Sequence, residues 1–112
     1  MKVPNADHAI ADIRKLQEYS LNTQHKTGRN KAWVFASALG ITIDDAEALR
    51  EILLRIVREY DAEAGLKDSY GERYQVDFPL EWRGRRAMVR SAWIIEPEVS
   101  YPRLTSCYVL EK

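Results

Sequence analysis

The stretch YQVDFPLEWRGRRAMVRSAWII, residues 74–95, decides the fold of the second half of the chain. Tyr74, Val76, Phe78 and Leu80 alternate with Gln75, Asp77 and Pro79. A period of two predicts a half-buried strand. Pro79 has no N–H to give, which places the end of that strand at an edge or a bulge. Trp82-Arg83-Gly84-Arg85 predicts a hairpin turn. Ala87 to Glu96 then predicts a second strand, apolar on both faces except at Arg90 and Ser91. Glu96-Pro97-Glu98 breaks it, and Pro102 opens a third strand from Arg103 to Leu110. An apolar central strand predicts helices over one face of the sheet, and a cleft or partner surface on the other.

Upstream, the period changes from two to 3.6. Ala9 to Leu21 predicts a first helix, with Ile10, Ile13 and Leu16 on one side and Asp7 as N-cap. A turn rich in Asn22, Thr23, Thr27, Gly28 and Asn30 follows. Lys31 to Leu39 predicts a second helix, because Ala32, Phe35, Ala36 and Leu39 recur at i, i+3, i+4 and i+7. Gly40 suits its left-handed C′ position. Thr42 and Asp45 form a capping-box pattern before a third helix, roughly Asp44 to Tyr60, striped by Ala46, Leu49, Leu53, Ile56 and Tyr60. Asp61 to Gly71 reads as a polar connection. The expected fold is α+β in a single domain, 1–112: three N-terminal helices packed on a C-terminal antiparallel sheet of three strands or slightly more.

The 112 residues carry 17 cations and 17 acids, so the formal net charge is zero. That counts against a general nucleic-acid binder. The charge is nevertheless segregated. Asn22 to Val34 holds Lys26, Arg29 and Lys31 with no acid, and Arg83 to Arg90 holds Arg83, Arg85, Arg86 and Arg90 with none. The single cysteine, Cys107, forms no intramolecular disulfide and reads as a packed thiol. A reducing cytoplasm suits it. No apolar run of about 18 residues is present, and residues 1–7 have no apolar signal core. A cytoplasmic location without a membrane partner is the expectation.

His25 stands in a basic, glycine-containing turn before a helix. An imidazole can take and return a proton near neutral pH. RNA brings its own nucleophile, the 2′-hydroxyl. A proton-transfer group and fixed cations therefore suffice for cleavage without a metal. The plain alternative for His25 is a surface loop residue. Lys31 lies near a helix N-terminus that favours an anion; its alternative is to snorkel over Phe35. Arg90 is a lone charge in an apolar strand, and must pair with a carboxylate, Asp77 being nearest, or open onto a cleft. Strict alternation would put Arg103 and Thr105 on one face and Ser106 and Tyr108 on the other. No metal-ligand spacing, phosphate-cradling glycine loop or acyl-transfer triad is found, so no cofactor or metal is expected.

Four runs carry a family resemblance: His25-x-x-Gly28-x-x-Lys31-Ala32-x-x-Phe35-x-x-x-Leu39-Gly40; Tyr70-Gly71-x-Arg73-Tyr74-x-Val76-Asp77-Phe78; Val89 to Ile94; and Pro102 to Val109. They resemble a bacterial family of unknown function that occurs as short stand-alone proteins. Similar domains end polymorphic-toxin and phage-head-morphogenesis-type proteins. The layout also resembles the toxin ribonucleases grouped with barnase, EndoU, colicin-type nucleases and RelE. That resemblance implies His25 and Lys31 on the helix side of an active site, with Arg90, Thr105 and Tyr108 on the sheet side. It implies RNA as substrate and a cognate inhibitor protein as partner. The reading is a metal-independent endoribonuclease-like toxin of a toxin–antitoxin or toxin–immunity system. The rival is a non-catalytic interaction protein, such as the inhibitor half of such a pair, working through its acidic third helix. Convergence of His25, Lys31 and Arg90 in one cleft would favour the first.

Overall fold

The computed structural model describes residues 1–110. Three helices precede four strands. They are α1 (Ile13–Lys15), α2 (Arg29–Leu39), α3 (Ala46–Glu59), β1 (Glu63–Asp68), β2 (Gly71–Trp82), β3 (Arg85–Ile95) and β4 (Arg103–Val109). The strands form one antiparallel sheet in the order β1-β2-β3-β4. The α+β layout is thus present, with one strand beyond the meander.

The third helix follows its sequence signals. The backbone N–H of Thr42 donates to Asp45 at 3.0 Å, and the Thr42 side chain caps the Asp45 N–H in return. This satisfies two N–H groups that a helix start otherwise leaves without partners. Leu49, Leu53, Ile56 and Val57 are buried. Residues 36–39 likewise lead into Gly40, whose φ of 73° is the left-handed C-cap.

The first helix departs from expectation. It is capped by Asp12, whose side chain accepts the Arg14 N–H at 2.9 Å, not by Asp7. Beyond Lys15 the ladder widens into a π-type segment, Leu16–Ser20, closed by the Leu21 N–H on the Leu16 carbonyl. Ile10 lies outside the helix altogether. Its N–H donates to Pro102 O at 2.9 Å and its carbonyl accepts from Leu104 N at 2.8 Å. The free edge of β4 takes these backbone groups, and that pairing overrides a helical period in the sequence.

The polar connection contains β1. Every residue of β1 is exposed. A strand with no buried face carries no alternating pattern, so the hydrophobic signal was silent. The hairpin to β2 closes where Asp68 accepts the Tyr70 N–H at 2.9 Å. Gly71 is required there: its φ is 138°, and a Cβ would collide with the Ile95 carbonyl.

The helices cover one face of the sheet. Val76, Phe78, Val89, Trp93, Leu104 and Cys107 pack there against Leu16, Phe35, Leu39, Leu49 and Leu53. Ser91, one of the polar residues that interrupts the apolar strand, belongs to this core. Its hydroxyl donates to Val76 O at 3.0 Å and accepts Trp93 Nε1–H at 3.0 Å. It satisfies the buried indole and takes no part in a site. Cys107 is also inside, and burial pushes its thiol up to about 12.

Leu53→Ala should cost about 2–5 kcal/mol through the cavity it leaves, measured as a shift in urea midpoint at constant slope. Cys107 should resist alkylation in the native protein at pH 8 and react fully in denaturant; fast native labelling would contradict its placement.

Candidate functional site

No described helix lies over the opposite face of the sheet. Its side chains are those that alternate with the core positions: Gln75 and Asp77 on β2, Met88, Arg90 and Ala92 on β3. On β4 strict alternation fails. Trp93 pairs with Leu104 but Ala92 pairs with Ser106, so Thr105 is an extra residue. This bulge shifts the phase of the strand. Leu104, Cys107 and Val109 point into the core, while Arg103, Ser106 and Tyr108 lie opposite Ile94, Ala92 and Arg90. The separation of Arg103 from Ser106 and Tyr108, expected from alternation, does not occur. Thr105 Oγ1 donates to Ala92 O at 3.1 Å and is used within the bulge.

Arg90 faces Asp77 directly across β2 and β3. Its Nε and Nη2 donate to the two carboxylate oxygens at 2.8 and 2.9 Å. This bidentate fork answers the cost of a charge among apolar neighbours. Asp77 first, and then the Tyr108 hydroxyl, hold the guanidinium still more firmly charged than usual. The fork to Asp77 uses two of five N–H groups. Both side chains keep 31% of their surface exposed.

Tyr108 sits beside Arg90 in register. Lys31 reaches the same ring from α2, with Nζ 3.7 Å from its centroid. The placement follows from the helix. Ala32, Phe35 and Leu39 bury one side of α2, and Lys31, one turn before Phe35, stands on the flank. Its stem leads past the core edge and its ammonium rests on Tyr108, a cation–π contact. Lys31, Tyr108, Arg90 and Asp77 thus form a continuous row from α2 across β4 and β3 to β2.

His25 is placed differently. Its Nδ1 accepts the Gly28 N–H at 2.9 Å and the Thr27 N–H at 3.1 Å. It ties down N–H groups leading into α2, as a capping oxygen would. With Nδ1 accepting, these hydrogen bonds assign the proton of the neutral ring to Nε2. Tyr19 packs edge-on against the ring, with centroids 4.7 Å apart. Gly28 leaves room for Tyr19, since a Cβ would lie 3.0 Å from that ring. The shallow pocket at His25 is lined by Asp12, Arg14, Lys15, Glu18 and Tyr19, and by none of Lys31, Arg90 or Tyr108. The structure therefore brings together Lys31, Tyr108 and Arg90, and keeps His25 and Thr105 in local structural bonds. Tyr19 had no periodic signal, because its contact is to a turn six residues on.

A groove of about 470 Å³ lies at the far end of the sheet, against Asp68, Glu72 and Glu96. Each of these acids is paired, with Arg73 at 3.0 Å, Lys67 at 2.9 Å and Arg103 at 2.7 Å. Among the described residues no group of three His, Cys, Asp or Glu side chains is placed to hold a metal ion. No described helix is long and apolar enough to cross a membrane.

Comparison with known families matches residues 2–111 to the domain of unknown function DUF6883. The chain belongs to this family. No curated protein matches the sequence. Among solved structures, the fold matches a chain of the contact-dependent growth inhibition toxin–immunity protein complex from Klebsiella pneumoniae 342. The TM-score is 0.70 at 13% identity, over 96% of this chain and 98% of that one. At that identity the likeness is one of fold.

His25→Ala should lower stability by about 0.5–2 kcal/mol through loss of the cap. His25→Asn, whose Oδ1 can accept the same N–H groups, should recover most of it in urea melts. For Arg90 and Asp77, a double-mutant cycle with Arg90→Met and Asp77→Leu should give a coupling of about 1 kcal/mol, as suits a partly exposed pair.

Proposed function

We propose that this family member is the toxin half of a toxin–immunity pair, a metal-independent ribonuclease that works on the open face of the sheet. One observation carries the reading. Tyr108 lies between two fixed cations, Lys31 and Arg90, on a face with no helix over it. The match of fold to a chain of a toxin–immunity complex supports the same class.

In this reading the substrate's 2′-hydroxyl attacks its own phosphorus. The 2′-O–P bond forms, the P–O5′ bond breaks, and the 2′ proton passes to water. The products are a 2′,3′-cyclic phosphate and a free 5′-hydroxyl. Arg90, through the N–H groups not given to Asp77, and Lys31 hold the phosphate oxygens as charge builds on them. Tyr108 donates its proton to the departing 5′ oxygen, and the two cations beside it stabilise the phenolate. His25 acts by holding the start of α2, and hence Lys31. Thr105 acts by setting the phase that turns Tyr108 outward. The protein partner is an inhibitor that covers this face. A second reading, the inhibitor half of such a pair, draws on the Asp77–Arg90 fork, which already matches the arginine's charge.

The test is cleavage of total RNA by purified, inhibitor-free protein in EDTA. Wild type should cleave. Tyr108→Phe should lower the rate by about 10²–10⁴-fold, the usual range for a lost proton-transfer group. Arg90→Met and Lys31→Ala should also lose rate, while His25→Asn stays within a few-fold of wild type. A folded wild type without cleavage would overturn the ribonuclease reading and favour the inhibitor half. Controlled expression in a bacterial host, with and without the neighbouring gene, checks the same point in cells.

A further inference from the structure

β1 covers only part of the outer edge of β2. Its pairing runs from Asp68↔Gly71 to Glu63↔Gln75 and stops there. Beyond Gln75, β2 continues to Trp82 with β3 on one side only. The register shows which backbone groups this leaves free. The Met88 carbonyl accepts the Leu110 N–H at 2.8 Å, so the backbone of Met88 faces away from β2. Its partner in register, Pro79, therefore faces away from β3, and at a period of two so do Asp77 and Glu81. The Ala92 carbonyl, which takes the Thr105 hydroxyl on the β4 side, has the same phase. Among the described residues no backbone hydrogen bond reaches Asp77, Pro79 or Glu81 from outside the β2–β3 pair. The free edge offers the carbonyls of all three and the N–H groups of Asp77 and Glu81; proline has none. Two hollows adjoin this edge. One, of about 320 Å³, is walled by Ile52, Ile56, Tyr60, Phe78 and Leu80, with Glu81 and Arg86 also lining it. The other, of about 220 Å³, is lined by Asp61, Glu63, Gln75 and Asp77.

We infer that the Asp77–Glu81 edge binds an extended segment of another protein, which adds to β2 as a further strand and whose side chains alternate apolar and basic. Unpaired N–H and C=O groups in a row are a template for such a strand. The two faces of the edge set the alternation. Residues of the incoming strand opposite Phe78 and Leu80 point to the helix side, into the apolar hollow. Those opposite Asp77 and Glu81 point to the other face, where an acid meets each of them. Glu81 is exposed and makes no ion pair with Arg86, its partner in register, among the described residues. A base opposite Asp77 also finds Glu63 and Asp61 in the second hollow. A second copy of this chain is a poor occupant. Antiparallel pairing of two such edges would set Asp77 against Glu81, and Pro79 against Pro79 with no donor between them. The inference stands apart from the ribonuclease reading, since it concerns the backbone edge of β2 and not the row from Lys31 to Asp77.

The probe is the peptide acetyl-Thr-Lys-Val-Thr-Val-Lys-Thr-amide, whose lysines meet Glu81 and Asp77 and whose valines meet Leu80 and Phe78. In the free protein the amides of Asp77 and Glu81 should exchange fast with deuterium. Those of Phe78 and Leu80, bonded to β3, should be protected. Saturating peptide should slow the first pair at least about tenfold. In this pairing the backbone of the lysines faces β2 and that of the valines faces away. N-Methylation of both lysines should therefore abolish binding, while N-methylation of both valines should leave it. Changing the lysines of the peptide to glutamates should raise Kd about tenfold. Glu81→Lys should weaken the lysine peptide and recover binding of the glutamate peptide. Glu81→Pro, which removes an edge N–H, should raise Kd about tenfold; Glu81→Lys keeps that N–H, so the charge test stands even where the proline variant misfolds. No slowing at Asp77 and Glu81, or equal loss from either N-methylation pattern, overturns the strand addition. Protection of both amides without peptide, growing with protein concentration, would make a second copy the occupant and overturn the partner assigned. RNA cleavage is read in none of these arms, so their failure leaves the ribonuclease reading untouched.

Discussion

Burial of one face of a four-stranded sheet by three helices is the constraint on which the rest of this structure depends. Trp93, Phe78, Val76, Val89, Leu104 and Cys107 must all reach the same side to meet Phe35, Leu49 and Leu53. Each such side chain gains about 1.5–3 kcal/mol on leaving water. A slip of one residue in any strand would turn its whole set outward. The phase of β2, β3 and β4 is therefore fixed by the core. The open face is what remains once that demand is met.

Polar groups that fall on the wrong side of this division are resolved one by one. Ser91 is driven inside by its position between Val89 and Trp93, and there it serves both the indole and the Val76 carbonyl. Arg90 falls outside, next to Asp77, and the two neutralise one another in a forked pair. Thr105 cannot keep alternation and the core contacts of Leu104 and Cys107 together, so β4 takes up an extra residue. The bulge has a chemical consequence: it turns Tyr108 toward Arg90 and within reach of Lys31. A packing requirement on one face thus composes the constellation on the other.

The charge distribution follows the same logic. The chain is neutral as a whole, yet of the four arginines between Arg83 and Arg90 two, Arg86 and Arg90, stand at open-face positions of β3, while Arg83 and Arg85 turn to Asp45 and Ser37 on the helix side. The acids of α3 pair largely with their own helix, through Glu47 and Glu51 to Arg50 and Glu59 to Arg55. Exposed pairs of this kind contribute little to stability.

Much of this was legible in the residues alone. The period of Tyr74 to Leu80, the turn at Arg83-Gly84, the stripe of α3 and the capping box of Thr42 and Asp45 are local signals, and local physics honoured them. The pairing of Arg90 with Asp77 was also readable, because two neighbouring strands of opposite direction leave few partners for a lone charge. What the sequence could not express was anything set by distant backbone. Ile10 joins β4 instead of extending a helix because an edge strand ninety residues away offers its hydrogen bonds. β1 forms through backbone pairing with no buried side to mark it. His25 becomes a cap through Gly28 and Tyr19, and Tyr108 faces Arg90 through one unpaired residue in β4. Sequence determined which side chains were available and the period of most elements. Tertiary structure decided which of them share a face, because that depends on register, and register is settled only when β2, β3 and β4 bury their apolar sides together.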